Sequence, residues 1–372
     1  MKKVFVFVSL LVAAVMLLTA CGPAATPTPV VVPPTSVPPT AVPPTAVPPP
    51  AVGSPEHPIK VLFVPSVDAN IIVTGGQVMA DALKTATGLN FTVSVPTSYA
   101  ATIEEICASP TDTMVFIPAL GYALASQQCG VSVAFKAIRY GFPVYWAAYI
   151  VKRDSTYQTL ADLQGKTWGY GDQGSTSGYM VPKVELAAAS VTPGAEVQTG
   201  GHNQTVAAVY SGSVDFGTVF YSVPLKPDGT NAWSYQDYLD SKVTPDMYDV
   251  PTASIPNCAV SADTKKLLCD GWRVLDARAN IRIESPDVVQ KIRILAISQA
   301  VPNDAMAFSP EFPAVLRTQI EAALVAFSQT PEWNNSIGSS DFYGWTGMVP
   351  ATDAEYDMVR AMVVATGYTI KP

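Results

Sequence analysis

The sequence predicts an α/β fold made of two successive strand–helix units behind an N-terminal leader and tether. Three observations predict it. Short β-rich runs alternate with helix-period segments from Ile59 to about Gln127, a pattern that argues for a parallel sheet. A second alternation starts at the β-rich run VYWAAYIVK, residues 144–152. The first 55 residues share neither pattern: an apolar run ends at a cysteine, and a proline-rich stretch follows.

Taken in order, Lys2 and Lys3 precede an apolar run over 4–18, which gives way to Leu18-Thr19-Ala20-Cys21. A basic start, an apolar middle and small residues at the end form a secretory signal peptide, expected over 1–20. The run is shorter than the roughly 20 residues a spanning helix needs. The small residues before Cys21 resemble a bacterial lipobox, in which that cysteine is acylated. Residues 21–55 carry a near-repeat of Val-Pro-Pro-Thr. Prolines without N–H donors favour polyproline II, so a tether of about thirty residues reaches on the order of 100 Å.

The remainder is long enough for one large or two medium cores. A net charge of −8 with no basic stripe excludes a nucleic-acid binder. The strand 59–65 is followed by a polar loop over 66–70 and a helix over 76–87 that stops at Gly88. A strand over 90–95, a helix over 99–108, a strand over 113–117 and a helix starting at Gly121 complete the first unit. In the second unit a short helix over 160–165, a strand over 167–170, and helices near 183–189 and 204–211 lead to a strand over 214–220. The segment 224–286, rich in Tyr, Asp and Pro, fits no clear period. A strand over 292–299 and an amphipathic helix over 315–329 follow. Cys107, Cys129, Cys258 and Cys269 remain after Cys21. An even number in an exported chain suggests pairing. Three connectivities are open, and sequence proximity favours Cys107–Cys129 with Cys258–Cys269.

Two polar clusters stand before helices. Ser175-Thr176-Ser177 offers hydroxyls beside free helix-start amides, an arrangement that suits an anion. Pro182 lies close enough to distort the first turn of that helix. His202 follows Gly200 and Gly201, which permit close backbone approach. Catalysis is disfavoured. The segment Gly174 to Gly178 places Thr176 where a G-x-S-x-G elbow needs serine, and no His/Cys/Glu cluster offers a metal site. The expectation is a protein with no catalytic residues, no cofactor and no metal.

These segments together resemble the phosphonate/phosphite/phosphate substrate-binding proteins of ABC transporters. The resemblance is carried by Phe63-Val-Pro-Ser-Val-Asp68, Ile117-Pro-Ala-Leu-Gly-Tyr122, Arg139-Tyr-Gly-Phe-Pro-Val-Tyr145, Ser175-Thr-Ser-Gly-Tyr179, Gly200-Gly-His202 and Val301-Pro-Asn-Asp304. It implies a two-lobed α/β fold of type 2 periplasmic binding proteins, with a hinge and an interlobe cleft. Lobe 1 would take 59–146 and 300–372, and lobe 2 would take 147–299 with an insertion over about 224–284. By resemblance, Tyr99, Tyr122, Ser175, Thr176, Ser177 and His202 would donate to an oxyanion, and Asp304 would accept from its P–OH or pair with an amine if the ligand has one. Aminophosphonate binders of the family carry a glutamate where this chain has Val219-Phe220-Tyr221-Ser222. The resemblance therefore favours phosphite, phosphate or an alkylphosphonate, with ABC permease subunits as partners and a monomeric chain lipid-anchored on the outer or periplasmic face of the cell membrane. The alternatives are the same fold holding another small anion or a cofactor precursor, or a sensory receptor without transport.

Overall fold

The structure, a computed structural model, describes residues 49–369. The expected signal peptide, Cys21 and most of the tether lie outside the described residues. Two six-stranded sheets organise the rest. The first holds β1 (Ile59–Phe63), β2 (Phe91–Ser94), β3 (Thr113–Ile117) and β4 (Ser132–Ile138), joined by β14 (Ala305–Phe308) and β15 (Gly347–Pro350) in the order β15-β4-β14-β3-β1-β2. The second holds β5 (Val144–Lys152), β6 (Thr167–Tyr170), β7 (Ala195–Gln198), β8 (Phe216–Tyr221) and β12 (Ile292–Ile297), in the order β12-β5-β8-β6-β7, with β13 (Val301–Pro302) also paired to β5.

The expected parallel pairing holds only inside each unit, where β1 pairs with β2 and β3, and β6 with β7 and β8. The strands next to the crossings run antiparallel: β14 to both β3 and β4, and β5 to both β8 and β12. A strand that enters a sheet from the cleft side runs against strands that end there. Both faces of the second sheet are covered. On β5, Trp146, Ala148 and Ile150 pack into one cluster while Tyr149 and Val151 pack into another. This is the period of two expected when both sides are buried.

The chain crosses between sheets twice. Between β4 and β5, Arg139 and Phe142 exchange backbone hydrogen bonds of 3.0 Å, with Tyr140 at φ 51° and Gly141 at φ 86°. Two successive positive φ values make this a tight turn, closed by an isolated bridge, after which the chain enters the other sheet. Between β13 and β14, the Asn303 amide donates to Ala137 O at 2.9 Å and Phe142 O at 2.8 Å. That one buried side chain ties the two crossings together.

Several local expectations need correction. The first helix is Ala69–Thr87, so it starts seven residues before the expected 76 and takes the last two residues of the segment read as a polar loop. Asp68 Oδ1 caps it by accepting from Asn70 N at 2.9 Å. Gly76, the expected helix start, and Gly75 lie inside it, where a Cβ would meet Val93 at 2.9 Å and Phe342 at 2.7 Å respectively. Strands β4, β7, β14 and β15 and the helix Asp357–Thr366 were not expected. The unassigned segment folds as a small three-stranded sheet, β9 (Cys258–Val260), β10 (Leu267–Cys269) and β11 (Trp272–Arg273), with short helical turns around it. The disulfides are Cys107–Cys129 and Cys258–Cys269. The second joins directly opposed positions of β9 and β10.

Candidate functional site

Between the sheets the cleft narrows to a cavity of about 50 Å³. One water needs roughly 10–15 Å³ by this measure, so the cavity takes a group of only a few heavy atoms. Its walls come from both sheets and both crossings.

Ser98 caps the helix Tyr99–Ala108 through Ala101 N at 3.0 Å, which sets Tyr99 at the helix mouth. Opposite, Ser175 Oγ accepts from Gly178 N at 3.0 Å, and Tyr179 N and Met180 N both reach Ser175 O at 3.1 Å. The second of these is an i→i−5 bond, so Thr176–Met180 forms a π turn before the helix Val181–Ala188. Such wide turns concentrate at functional sites. Pro182 accounts for the distortion: it has no N–H for the Gly178 carbonyl, which takes the Thr218 hydroxyl instead. Ser175 and Ser177 face the cavity.

His202 opens the helix His202–Ser211 and is buried against Phe220, with ring centroids 5.2 Å apart. The glycines before it serve packing. A Cβ on Gly171 would lie 2.8 Å from the Gly201 carbonyl carbon, and Gly200 sits at φ 101°. Burial, then the charge of Arg139, pushes the His202 imidazole down to about 4. It is therefore neutral at neutral pH. Burial also pushes the phenols of Tyr99, Tyr145 and Tyr343 up, which keeps them protonated donors.

Of the residues expected at a ligand, Tyr99, Ser175, Ser177, His202 and Asp304 converge on this cavity, and Tyr122 and Thr176 do not line it. The Tyr122 phenol donates to Asp353 at 2.6 Å, away from the cleft. Thr176 Oγ1 accepts from Leu120 N at 2.8 Å and thereby joins the two sides. Sequence reading missed Arg139, Tyr145 and Tyr343 as lining residues. Arg139 and Tyr145 stand in the stretch read only as a crossover, where a single arginine beside tyrosines was the available signal. Arg139 pairs with Asp304 and lies over the Tyr145 ring at 5.4 Å. Two buried side-chain nitrogens in the cavity wall, Arg139 Nε and His202 Nδ1, have no hydrogen-bond partner. Buried polar groups are rarely left unpaired, and both of these residues line the cavity.

Two lobes, two crossings and a small polar cavity between them define a type 2 periplasmic binding protein, a module that closes around its ligand. The model of the family "ABC transporter, phosphonate, periplasmic substrate-binding protein" matches residues 61–356, and the chain belongs to this family. The family consists of substrate-binding transporter components and not of enzymes. A curated relative, the phosphonates-binding periplasmic protein of Escherichia coli (strain K12), is 35% identical over 85 residues. That match spans 21% of this chain and only 25% of the relative. The binding-protein component of an ABC phosphonate transporter from Pseudomonas aeruginosa shares the fold at a TM-score of 0.61, with 14% identity over 83% of this chain and 86% of that one. PhnD1 from Prochlorococcus marinus (MIT 9301), solved with methylphosphonate, gives 0.59, with 13% identity over 83% and 98%. No helix among the described residues is long and apolar enough to cross a membrane.

Proposed function

We propose that this chain is the lipid-anchored binding component of an ABC importer for a small phosphorus oxyanion: phosphite, phosphate or an alkylphosphonate. The observation that carries this reading is a cavity of about 50 Å³ whose wall holds unpartnered buried nitrogens of Arg139 and His202. Neutral hydroxyls of Ser175, Ser177 and Tyr99 surround the same space. Hydrogen bonds to a charged acceptor are each worth roughly 1.5–3 kcal/mol, so a few of them hold an oxyanion without a strongly positive pocket. Phe220 and Ser222 occupy the wall where an amine would need a carboxylate, and Asp304 is engaged by Arg139. Both features favour a ligand without an amine. The bound chain, a monomer, delivers its ligand to permease subunits, with Cys21 as the lipid-bearing anchor and the proline-rich segment as the tether.

Titration calorimetry and thermal unfolding with phosphite, phosphate and methylphosphonate test this. Ligand at a hundredfold its Kd stabilises by about 2.7 kcal/mol. No heat and no shift with any of the three, on protein refolded free of carried-over ligand, overturns the proposal. The anchor is tested on the same gene expressed whole: wild type sediments with membranes and Cys21→Ala does not. Equal sedimentation of the two discards the anchor alone.

A further inference from the structure

We infer that a basic recess beside the cleft, lined by Lys266 and Arg273, is the entry site at which an anionic ligand first meets the protein; this rests on the ligand class proposed above. The recess has a volume of about 20 Å³, and its walls include Lys266, Arg273, Leu275, Arg282, Ser340 and Asp341. Leu275 and Ser340 also line the ligand cavity, so the two spaces share a wall. Tyr140 gives a second link: it lines the ligand cavity, and the Arg273 guanidinium carbon lies 5.9 Å from its ring centroid. The recess follows the seam between the two sheets. Leu267 and Val274 on one side pack into the core around β5 and β8. Phe342, next to Asp341 on the other side, packs into the core around β1 and β3.

Charge in the recess is out of balance. Lys266, Arg273 and Arg282 line it with a single acid, Asp341. Arg282 takes that acid at 2.9 Å. Lys266 and Arg273 make no ion pair among the described residues. Both are half-buried. The charge of Arg273, then burial, pushes the Lys266 ammonium below its ordinary value, and Asp341 opposes this. An anion arriving between the two cations relieves their repulsion.

No other charge does this work for the cleft. In the ligand cavity Arg139 and Asp304 are the only formally charged lining side chains, and they cancel. The whole chain carries −8 and so repels an anion at a distance. Attraction has to be local, and the recess is the positive wall that adjoins the cavity. At about 20 Å³ it holds a water or two and not an oxyanion. It is therefore a passing site, reached while the seam is open, and not a second store of ligand. Charges at the rim of a site act on the association rate and its salt dependence.

The test is stopped-flow mixing with whichever of phosphite, phosphate or methylphosphonate binds wild type. Salt is raised from about 10 to about 300 mM, which shortens the screening length from about 30 Å to about 6 Å. Wild-type association slows roughly 3- to 10-fold over this range. Lys266→Gln combined with Arg273→Gln loses about that factor at low salt, and its association no longer slows as salt rises. Its release rate is that of wild type. Lys266→Arg combined with Arg273→Lys keeps the charge and restores both the rate and the slope. Lys84→Gln combined with Lys152→Gln removes the same charge elsewhere and keeps the wild-type slope. Lys84 lies about 22 Å along its helix from Ala69, and Lys152 about 26 Å along β5 from the crossing. Urea unfolding of the ligand-free variants checks that each is folded. Wild-type association that is flat or rises with salt overturns the inference. So does association of the Lys266→Gln, Arg273→Gln variant within about twofold of wild type at low salt, an equal loss in the Lys84→Gln, Lys152→Gln variant, or a loss that falls on release instead. Absence of binding by wild type itself overturns the ligand class instead.

Discussion

At the scale of the residue, His202 shows what a buried imidazole in the cavity wall costs in stability. Its pKa falls from 6.5 to about 4 on folding. As pH drops below 6.5 the unfolded chain takes a proton that the folded chain refuses. Folding stability is therefore full above about pH 6.5 and is lost as pH falls toward 4. The shift corresponds to about 3 kcal/mol at most. Ligand-free wild type should lose stability to urea between pH 7 and 4.5, and His202→Gln should lose about that much less. Parallel losses in the two proteins would show that His202 does not stay neutral in the fold. The residue was legible in sequence because it follows a glycine pair at a helix start, a local signal. Arg139, Tyr145 and Tyr343 were not, because each reaches the cavity only through tertiary crossing. Tyr122 was misplaced for the same reason: sequence puts it at a helix start, and only packing turns its phenol to Asp353.

At the scale of the element, the segment 224–286 packs into the same core as β5 and β8 and also supplies a wall of the cleft. Arg278, 1% exposed, donates to both oxygens of Asp249 at 2.9 Å and to both oxygens of Asp276 at 2.8 and 2.9 Å. It also reaches Ile292 O on β12 at 3.1 Å. Arg153 at the end of β5 shares Asp249. These bonds fix Leu275, which lines the cavity. Breaking a buried ion pair from one side leaves uncompensated charge and costs about 3–5 kcal/mol. Arg278→Ala should lower the urea midpoint accordingly, while Arg278→Ala combined with Asp249→Asn and Asp276→Asn should recover part of the loss. A loss below 1 kcal/mol in the single variant would mean that water reaches the network. Sequence offered little here because short strands and turns carry no long period. Elements with a long period or local caps, such as β5 and the helix Tyr99–Ala108, matched their expected bounds. The distorted turn at Ser175 was foreshadowed by Pro182, a rule of covalent geometry that tertiary structure does not override.

At the scale of the whole molecule, binding depends on what holds the two lobes together, and magnitudes rank the candidates. Arg282 pairs with Asp341, from the segment just before β15, at 2.9 Å, but Asp341 is 42% exposed. An exposed pair of this kind contributes about 0–1 kcal/mol. Thr176 from the π turn accepts from the buried Leu120 N at 2.8 Å. Without that acceptor the closed form leaves a buried amide unsatisfied, at about 1–3 kcal/mol, while an open cleft would return it to water. The buried hydrogen bond should therefore control closure and the exposed ion pair should not. Thr176→Val should speed ligand release roughly 5- to 100-fold with little change in association rate, and Thr176→Ser, which keeps the hydroxyl, should restore slow release. Arg282→Ala should change release by less than about fivefold. Stopped-flow displacement gives the rates. Small-angle scattering at saturating ligand shows whether Thr176→Val is more open than wild type. Release that is faster in Arg282→Ala than in Thr176→Val would reverse the ranking and make the Arg282–Asp341 pair the latch of the cleft.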